Sequence, residues 1–371
     1  MKVKLIFKWG ARTLLVALVL AFLVGFIAYW RSTNECDSKT GAPANPMKAI
    51  VHCEYGGPEV LTLTDVEKPV PSDNQILVRV RAASLNPLDL VIRGFWFLRP
   101  FSGMRKPKDI RLGVDYAGTV ETVGKNVTQF KPGDEVFGGR DGALAEYVCV
   151  LPDRAVTLKP ANMTFEQAAS VPVAALTALQ GLRDKGKIKA GQKVLINGAS
   201  GGVGTFAVQI AKSFGTEVTG VCSTRNVDMV RSIGADHVID YTKEDFTKTD
   251  QRYDLILDIV GNHSFSERRR ILNPNGICVM VGAGGSGWHD ESAGRMMGEL
   301  NAYLRSRFVN EKFMAYLANL NKPDLTILAD LMRDGKVKPV IDKTYKLNDV
   351  PAALTYLETG HARGKVVVTI D

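Results

Sequence analysis

One stretch limits the folds open to this chain more than any other: Gly198-Ala199-Ser200-Gly201-Gly202-Val203-Gly204. Just ahead of it, Lys193 to Asn197 is a short apolar run that reads as a buried strand. Just after it, Thr205 to Phe214 carries apolar residues at helical spacing. Strand, glycine turn and helix make the first half of a dinucleotide-binding unit. Glycine is needed because the chain must turn tightly and bring its backbone close to a pyrophosphate, with helix N–H groups facing that charge. Ala199 stands where the usual G-x-G-x-x-G has its first glycine, a departure small enough to keep the turn. Ala199 to Gly204 are therefore the candidate pyrophosphate cradle.

The residues after the next strand choose between cofactors. A carboxylate about 20 residues on would grip a ribose 2′-hydroxyl. Here the second strand, Glu217 to Cys222, runs into Ser223-Thr224-Arg225-Asn226, and no carboxylate follows before Asp228. Hydroxyls and a guanidinium suit a 2′-phosphate, which a carboxylate would repel. NADPH is expected over NADH; the bland alternative makes Arg225 one more solvated surface arginine.

A length of 371 residues accommodates two domains, and 45% hydrophobic with 23% charged residues is ordinary for an enzyme. The net charge of +8 is unevenly spread: residues 1–46 hold six basic and two acidic residues, half of the excess. What is left over the other 325 residues gives no argument for nucleic-acid binding. Arg268-Arg269-Arg270 reads as a solvated helix face. The five cysteines are odd in number, widely spaced and lack Cys-x-x-Cys, so neither a disulfide framework nor a zinc lobe is indicated.

The amino-terminal region is a separate unit. Leu14 to Trp30 is an uninterrupted apolar run of 17 residues between Arg12 and Arg31, at the lower limit for spanning a bilayer. Tyr29 and Trp30 end it, where interfacial aromatics belong. One membrane anchor through residues 14–30 is expected, with a cleaved signal peptide or organelle presequence as rivals; Ala42-Pro43-Ala44 lies too far from the run to be a good cleavage site. Residues 31–46 are polar and read as a linker. Four basic residues precede the run and two closely follow it, which points the amino terminus inward. The need for NADPH argues instead for an enzyme domain on a cytoplasm-like side, and that side is expected here.

From Met47 on, strands are expected at Met47–His52, Ile76–Ala82, within Gly113–Gly124 and Gly133–Gly138, and at Tyr253–Asp258, Gly276–Val281 and Gly364–Ile370. Ligands in a parallel sheet bind beyond the carboxyl ends of its strands.

Collinear stretches in this region carry a resemblance. They are Ser84-Leu-Asn-Pro-Leu-Asp89, Gly113-Val-Asp-Tyr-Ala-Gly118, Val123-Gly124 with Phe130-Lys-Pro-Gly-Asp-Glu-Val136, Val171-Pro-Val-Ala-Ala-Leu-Thr-Ala178, Asn197–Gly204, Gly234–Asp240 and Gly364-Lys365. From Met47 to Asp371 the chain resembles the medium-chain dehydrogenase/reductase superfamily, in its quinone-oxidoreductase-like branch. The resemblance implies an α/β fold: a Rossmann cofactor domain inserted into a β-rich, GroES-like catalytic domain. The expected parts are 1–46 (anchor and linker), 47–170 (catalytic, first part), 171–310 (Rossmann) and 311–371 (catalytic, closing part). A homodimer is also what the family implies.

Zinc-bearing relatives carry a cysteine where this chain has Asn86 and a His-Glu pair where it has Val114-Asp115, so no metal site is expected. Hydride transfer from NADPH to a quinone or α,β-unsaturated carbonyl needs only donors for the developing oxyanion. The resemblance places Asn86 in that pocket; Asp89 and Tyr116 are weaker candidates. Enoyl-thioester reductases have a tyrosine acid where this chain reads Arg93-Gly-Phe-Trp-Phe97, so the proton source is open. Phe95, Trp96, Phe97 and Phe101 suggest an aromatic wall for a flat electrophile, with core packing the alternative. By the same matching Thr177 faces the nicotinamide and Tyr241 the 2′-phosphate. Val260, Gly261, Val281 and Gly282 border the cofactor, and Arg363 and Lys365 reach it from the closing segment. A tethered NADPH-binding module with little turnover, or an alcohol dehydrogenase or enoyl-thioester reductase of the superfamily, is the alternative function.

Overall fold

The computed structural model describes residues 20, 23–27, 29–31, 33–38, 41–94, 99–281 and 292–371. Most of the expected anchor at 14–30 lies outside them. Among the described residues, no helix is long and apolar enough to cross a membrane.

The strands are β1 (Pro46–His52), β2 (Leu61–Glu67), β3 (Ile76–Leu85), β4 (Asp115–Val123), β5 (Glu135–Gly139), β6 (Tyr147–Val150), β7 (Val156–Leu158), β8 (Lys193–Asn197), β9 (Glu217–Cys222), β10 (His237–Asp240), β11 (Tyr253–Asp258), β12 (Leu272–Val281), β13 (Lys312–Tyr316), β14 (Ile341–Lys346) and β15 (Lys365–Thr369). Among the described residues one sheet is wholly parallel, in the order β10-β9-β8-β11-β12-β13. The order reverses between β8 and β11, which opens a crevice at their carboxyl ends. Apolar residues on both faces explain why these strands read as continuous hydrophobic runs: Val194 and Ile196 face one core, Leu195 another.

The second sheet runs β14-β15-β3-β4-β5-β7, with β6 also on β3. Its first two members, β14 and β15, come from the end of the chain, so the catalytic domain is built from both ends. The antiparallel register sets Val366 against Leu85, and Ser84 against Asp115. Lys365, Asn86 and Asp115 are thereby brought to one place from far-separated parts of the sequence.

Two expectations are corrected. The Rossmann part does not stop at 310, because β13 adds an edge strand to its sheet. The helix Lys322–Arg333 beyond it buries Leu325, Leu328 and Met332 in the same core. Cys36 and Cys53 form a disulfide, with Cα atoms 5.8 Å apart. Spacing alone could not reveal one cross-link between a polar linker and the end of β1. Asn34 Nδ2 also donates to the Cys53 carbonyl, and the Ala44 and Asn45 N–H groups donate to Glu67, so the linker is pinned to the β1–β2 pair.

Candidate active site

The glycine turn closes β8 and opens the helix Gly202–Ser213. Gly198 has φ +89°, and a Cβ on Gly204 would lie 2.0 Å from the Gly198 carbonyl oxygen, so both must be glycine. A Cβ on Gly201 would meet only that same oxygen, at 3.6 Å: the space over Gly201 is an open cradle. No side chain caps this helix at Gly201, so its first N–H groups are left for an anion. Asn226, buried, donates to Ser200 Oγ at 3.1 Å and Ser223 Oγ at 3.2 Å, tying the turn to the end of β9. It was legible only as the residue after Arg225 and carried no expectation.

On the other side of the crevice, Asp258 organises the turn after β11. Its Oδ1 accepts from the Val260 and Gly261 N–H groups and from Asn197 Nδ2 at 2.8 Å, while Oδ2 pairs with Arg268 at 2.9 Å. Arg268 is buried, so the basic run is not a wholly solvated face. Val281 is buried at the end of β12; Gly282 lies outside the described residues.

At the end of β9, Thr224 Oγ1 donates to Asp240 Oδ2 at 2.6 Å. That bond, with further ones from Thr242, holds the Asp240 carboxyl at about 2. Here the sequence reading missed a carboxylate: Asp240 pairs in register with Cys222 and arrives from the neighbouring strand. Lys243 stands 3.4 Å from it and balances its charge. Arg225 Nη2 donates to the His361 carbonyl, and Tyr241 is exposed. Arg363 is exposed too; its backbone N–H donates to Asp342.

The closing strand docks on the glycine turn. Gly364, at φ +93°, bridges Gly201 and donates its N–H to the Ser200 carbonyl at 2.9 Å. From there Lys365 runs past Gly202 into the catalytic domain, where Nζ donates to Asn86 Oδ1 at 2.6 Å, Leu85 O at 3.1 Å and Asp115 Oδ2 at 3.3 Å. Asn86 Nδ2 donates to Asp115 Oδ2 at 2.9 Å, and Ser84 Oγ donates to the same oxygen at 3.0 Å. Asp115 Oδ1 accepts from Val173 N, at the start of the helix Pro172–Gln180 that carries Thr177. Asp89 accepts from the Asn86 and Gly113 N–H groups, and burial, aided by Asp115, lifts its carboxyl from 3.8 to about 7.

Residues 72–161 match the family described as alcohol dehydrogenase GroES-like domain, and residues 233–368 the zinc-binding dehydrogenase family. The chain is 33% identical to the NAD(P)H oxidoreductase RTN4IP1, mitochondrial, of Bos taurus, over 93% of this chain and 96% of that one. It is 34% identical to an NADPH-dependent alkenal/one oxidoreductase, chloroplastic, of Arabidopsis thaliana, over 87% and 79%. The fold matches the quinone oxidoreductase from Coxiella burnetii with a TM-score of 0.75 at 33% identity, covering 88% of this chain and 100% of the other. The chain belongs to the medium-chain dehydrogenase/reductase superfamily. It is an oxidoreductase that uses a nicotinamide cofactor.

For a medium-chain reductase the distribution of the expected residues is uneven. Asn86, Asp89 and Lys365 come together; Thr177 is buried nearby, its hydroxyl returned to the Val173 carbonyl. Tyr116 does not join them. Successive strand residues face opposite sides, so Asp115 faces the cluster and Tyr116 the catalytic-domain core, fully buried with its hydroxyl unpartnered. Lys365 is also corrected at its charged end: the stem passes the glycine turn, but the ammonium is spent on Asn86, Leu85 and Asp115. Phe95, Trp96 and Phe97 lie outside the described residues, so the aromatic wall has no structural account.

Proposed function

We propose that this reductase transfers hydride from NADPH to a quinone or an α,β-unsaturated carbonyl without a metal. The observation that carries this reading is the donor set around Asn86. An amide, a carboxylate and a lysine ammonium meet there, and the ammonium already fills the place between Asn86 and Asp115. A divalent ion needs anionic or neutral ligands at short range, and a resident cation on two of them disfavours it. The zinc-binding description of the matching family therefore does not fit the residues of this chain. Among the described residues no group of three His, Cys, Asp or Glu side chains clusters at ligating distance.

The open space over Gly201, the uncapped helix start and the Ser223–Arg225 segment fit a dinucleotide. When bound, its dihydronicotinamide supplies the hydride. Asn86 offers an N–H to the oxygen that gains negative charge as an enone or quinone is reduced. Arg225 and Tyr241 border the adenosine end, and the Arabidopsis relative is named for NADPH. Cofactor consumption tests the reading: the full chain, given an ortho-quinone, a conjugated enone or a saturated ketone, consumes NADPH with the first two. Bound cofactor with no consumption favours the tethered binding module instead.

The apolar run at 14–30 supports a membrane anchor, tested by extraction of membranes at alkaline pH. A structural bond such as Cys36–Cys53 is favoured on an oxidising side. Together with the basic residues ahead of the run, it favours a non-cytoplasmic side with its own NADPH over the cytoplasm-like side. A homodimer rests on the family resemblance and is read by sedimentation.

A further inference from the structure

We propose that Lys365 is a positioning residue: it fixes the orientation of the Asn86 amide, and so aims the N–H that Asn86 presents to the substrate oxygen. This rests on the proposed reduction of a carbonyl-conjugated substrate.

An asparagine side chain has an acceptor end and a donor end of nearly the same shape. Left alone, Asn86 would sample both orientations, and one of them turns a carbonyl oxygen toward a developing oxyanion. Its neighbours permit one only. Lys365 Nζ has nothing but donors and sits 2.6 Å from Oδ1; Asp115 Oδ2, an acceptor, sits 2.9 Å from Nδ2. Reversing the amide would set N–H against N–H and oxygen against carboxylate at both contacts. One hydrogen of Nδ2 is given to Asp115, which leaves the other for a substrate.

Lys365 acts through Asn86 rather than on substrate. Its side chain is 3% exposed and its three hydrogens are matched by the Leu85 carbonyl, Asn86 Oδ1 and Asp115 Oδ2. The cation on Oδ1 also polarises the amide and strengthens its N–H as a donor, an effect that low local dielectric enlarges. Asp115 offsets the desolvation of the ammonium, and its remaining capacity is met by Ser84 and Val173. The stem of Lys365 lies against Gly202, where an added Cβ would be 3.1 Å from its Cδ. One side chain thus spans from the cofactor turn to the substrate-facing amide.

The test is a double-mutant cycle in the full chain, with methyl vinyl ketone and NADPH. Lys365→Met and Asn86→Ala are each expected to lower kcat on the order of 100-fold, the effect of losing one oxyanion donor. KM for NADPH stays near the wild-type value. The double variant is expected to be no slower than either single one, because both remove the same interaction. Additive losses, wild-type kcat in Lys365→Met, or a loss confined to KM for NADPH would overturn the positioning role. If Lys365→Met fails to fold because Asp115 is left unpaired, Lys365→Met with Asp115→Asn removes both charges. That variant is expected to bind NADPH and to be as slow as Asn86→Ala; turnover at the wild-type rate overturns the proposal. Wild-type enzyme that consumes no NADPH takes down the proposed function and this inference together, whereas an active wild type with additive variants sinks the inference alone.

Discussion

Around Asn86 three ionisable groups share one buried cluster, and two are carboxyls against a single ammonium. The excess falls on Asp89, whose carboxyl is lifted to about 7 chiefly by burial. Between about pH 4 and 7 the folded protein keeps a proton there that the unfolded chain has lost. The stability this group contributes is complete below its unfolded pKa and is lost as pH rises through about 7. Thermal denaturation from about pH 5 to 8 should show that decline, and Asp89→Asn, which cannot ionise, should flatten it; an unchanged slope would mean Asp89 does not titrate there. At the adenosine end, Arg225→Ala is expected to raise KM for NADPH about tenfold or more and to leave KM for NADH unchanged, the loss of one charged hydrogen bond to phosphate. Equal effects on both cofactors would return Arg225 to the surface. Sequence could name Asn86, Asp89 and Arg225 one at a time. It could not show Asp240 reaching Thr224, or Lys365 reaching Asn86, since strand pairing creates both contacts.

The elements were the most legible level, for a physical reason. Strands buried on both faces are unbroken apolar runs, and β8, β9 and β11 have the limits expected from their residues. The domain boundary at 310 was misplaced because β13, Lys-Phe-Met-Ala-Tyr, is a five-residue strand at the sheet edge in which only Phe313 is buried, so its short apolar run does not reveal which sheet it joins. Within the glycine turn, two glycines differ in what they tolerate. Gly204→Ala drives a Cβ to 2.0 Å from a backbone oxygen, and should cost about 3 kcal/mol of stability, the upper end of ordinary overpacking. Gly201→Ala has room to fold and should melt like the wild type while binding NADPH poorly, because its methyl enters the cradle. Equal melting points for both variants, or tight NADPH binding by Gly201→Ala, would contradict the assignment of the cradle.

Over the whole molecule, a cofactor sheet and a catalytic sheet made from both chain ends meet at the glycine turn, with Gly364 bridging to Gly201. The Cys36–Cys53 bond lies apart from this junction and closes a short loop, a sequence separation of 17. A cross-link of that span contributes at most about 3 kcal/mol. Replacing both cysteines with serine should lower the denaturation midpoint and expose the linker to proteases, without changing turnover; lost activity would place the linker in the catalytic machinery. The proposed reduction relies on an oriented amide, and no metal, to handle the developing negative charge. It is tested most directly by NADPH consumption with a conjugated enone after exhaustive chelation and again after zinc is returned. Turnover unaffected by either step, and lost on the order of 100-fold in Asn86→Ala, is the predicted result. Turnover abolished by chelation and restored by zinc would contradict it.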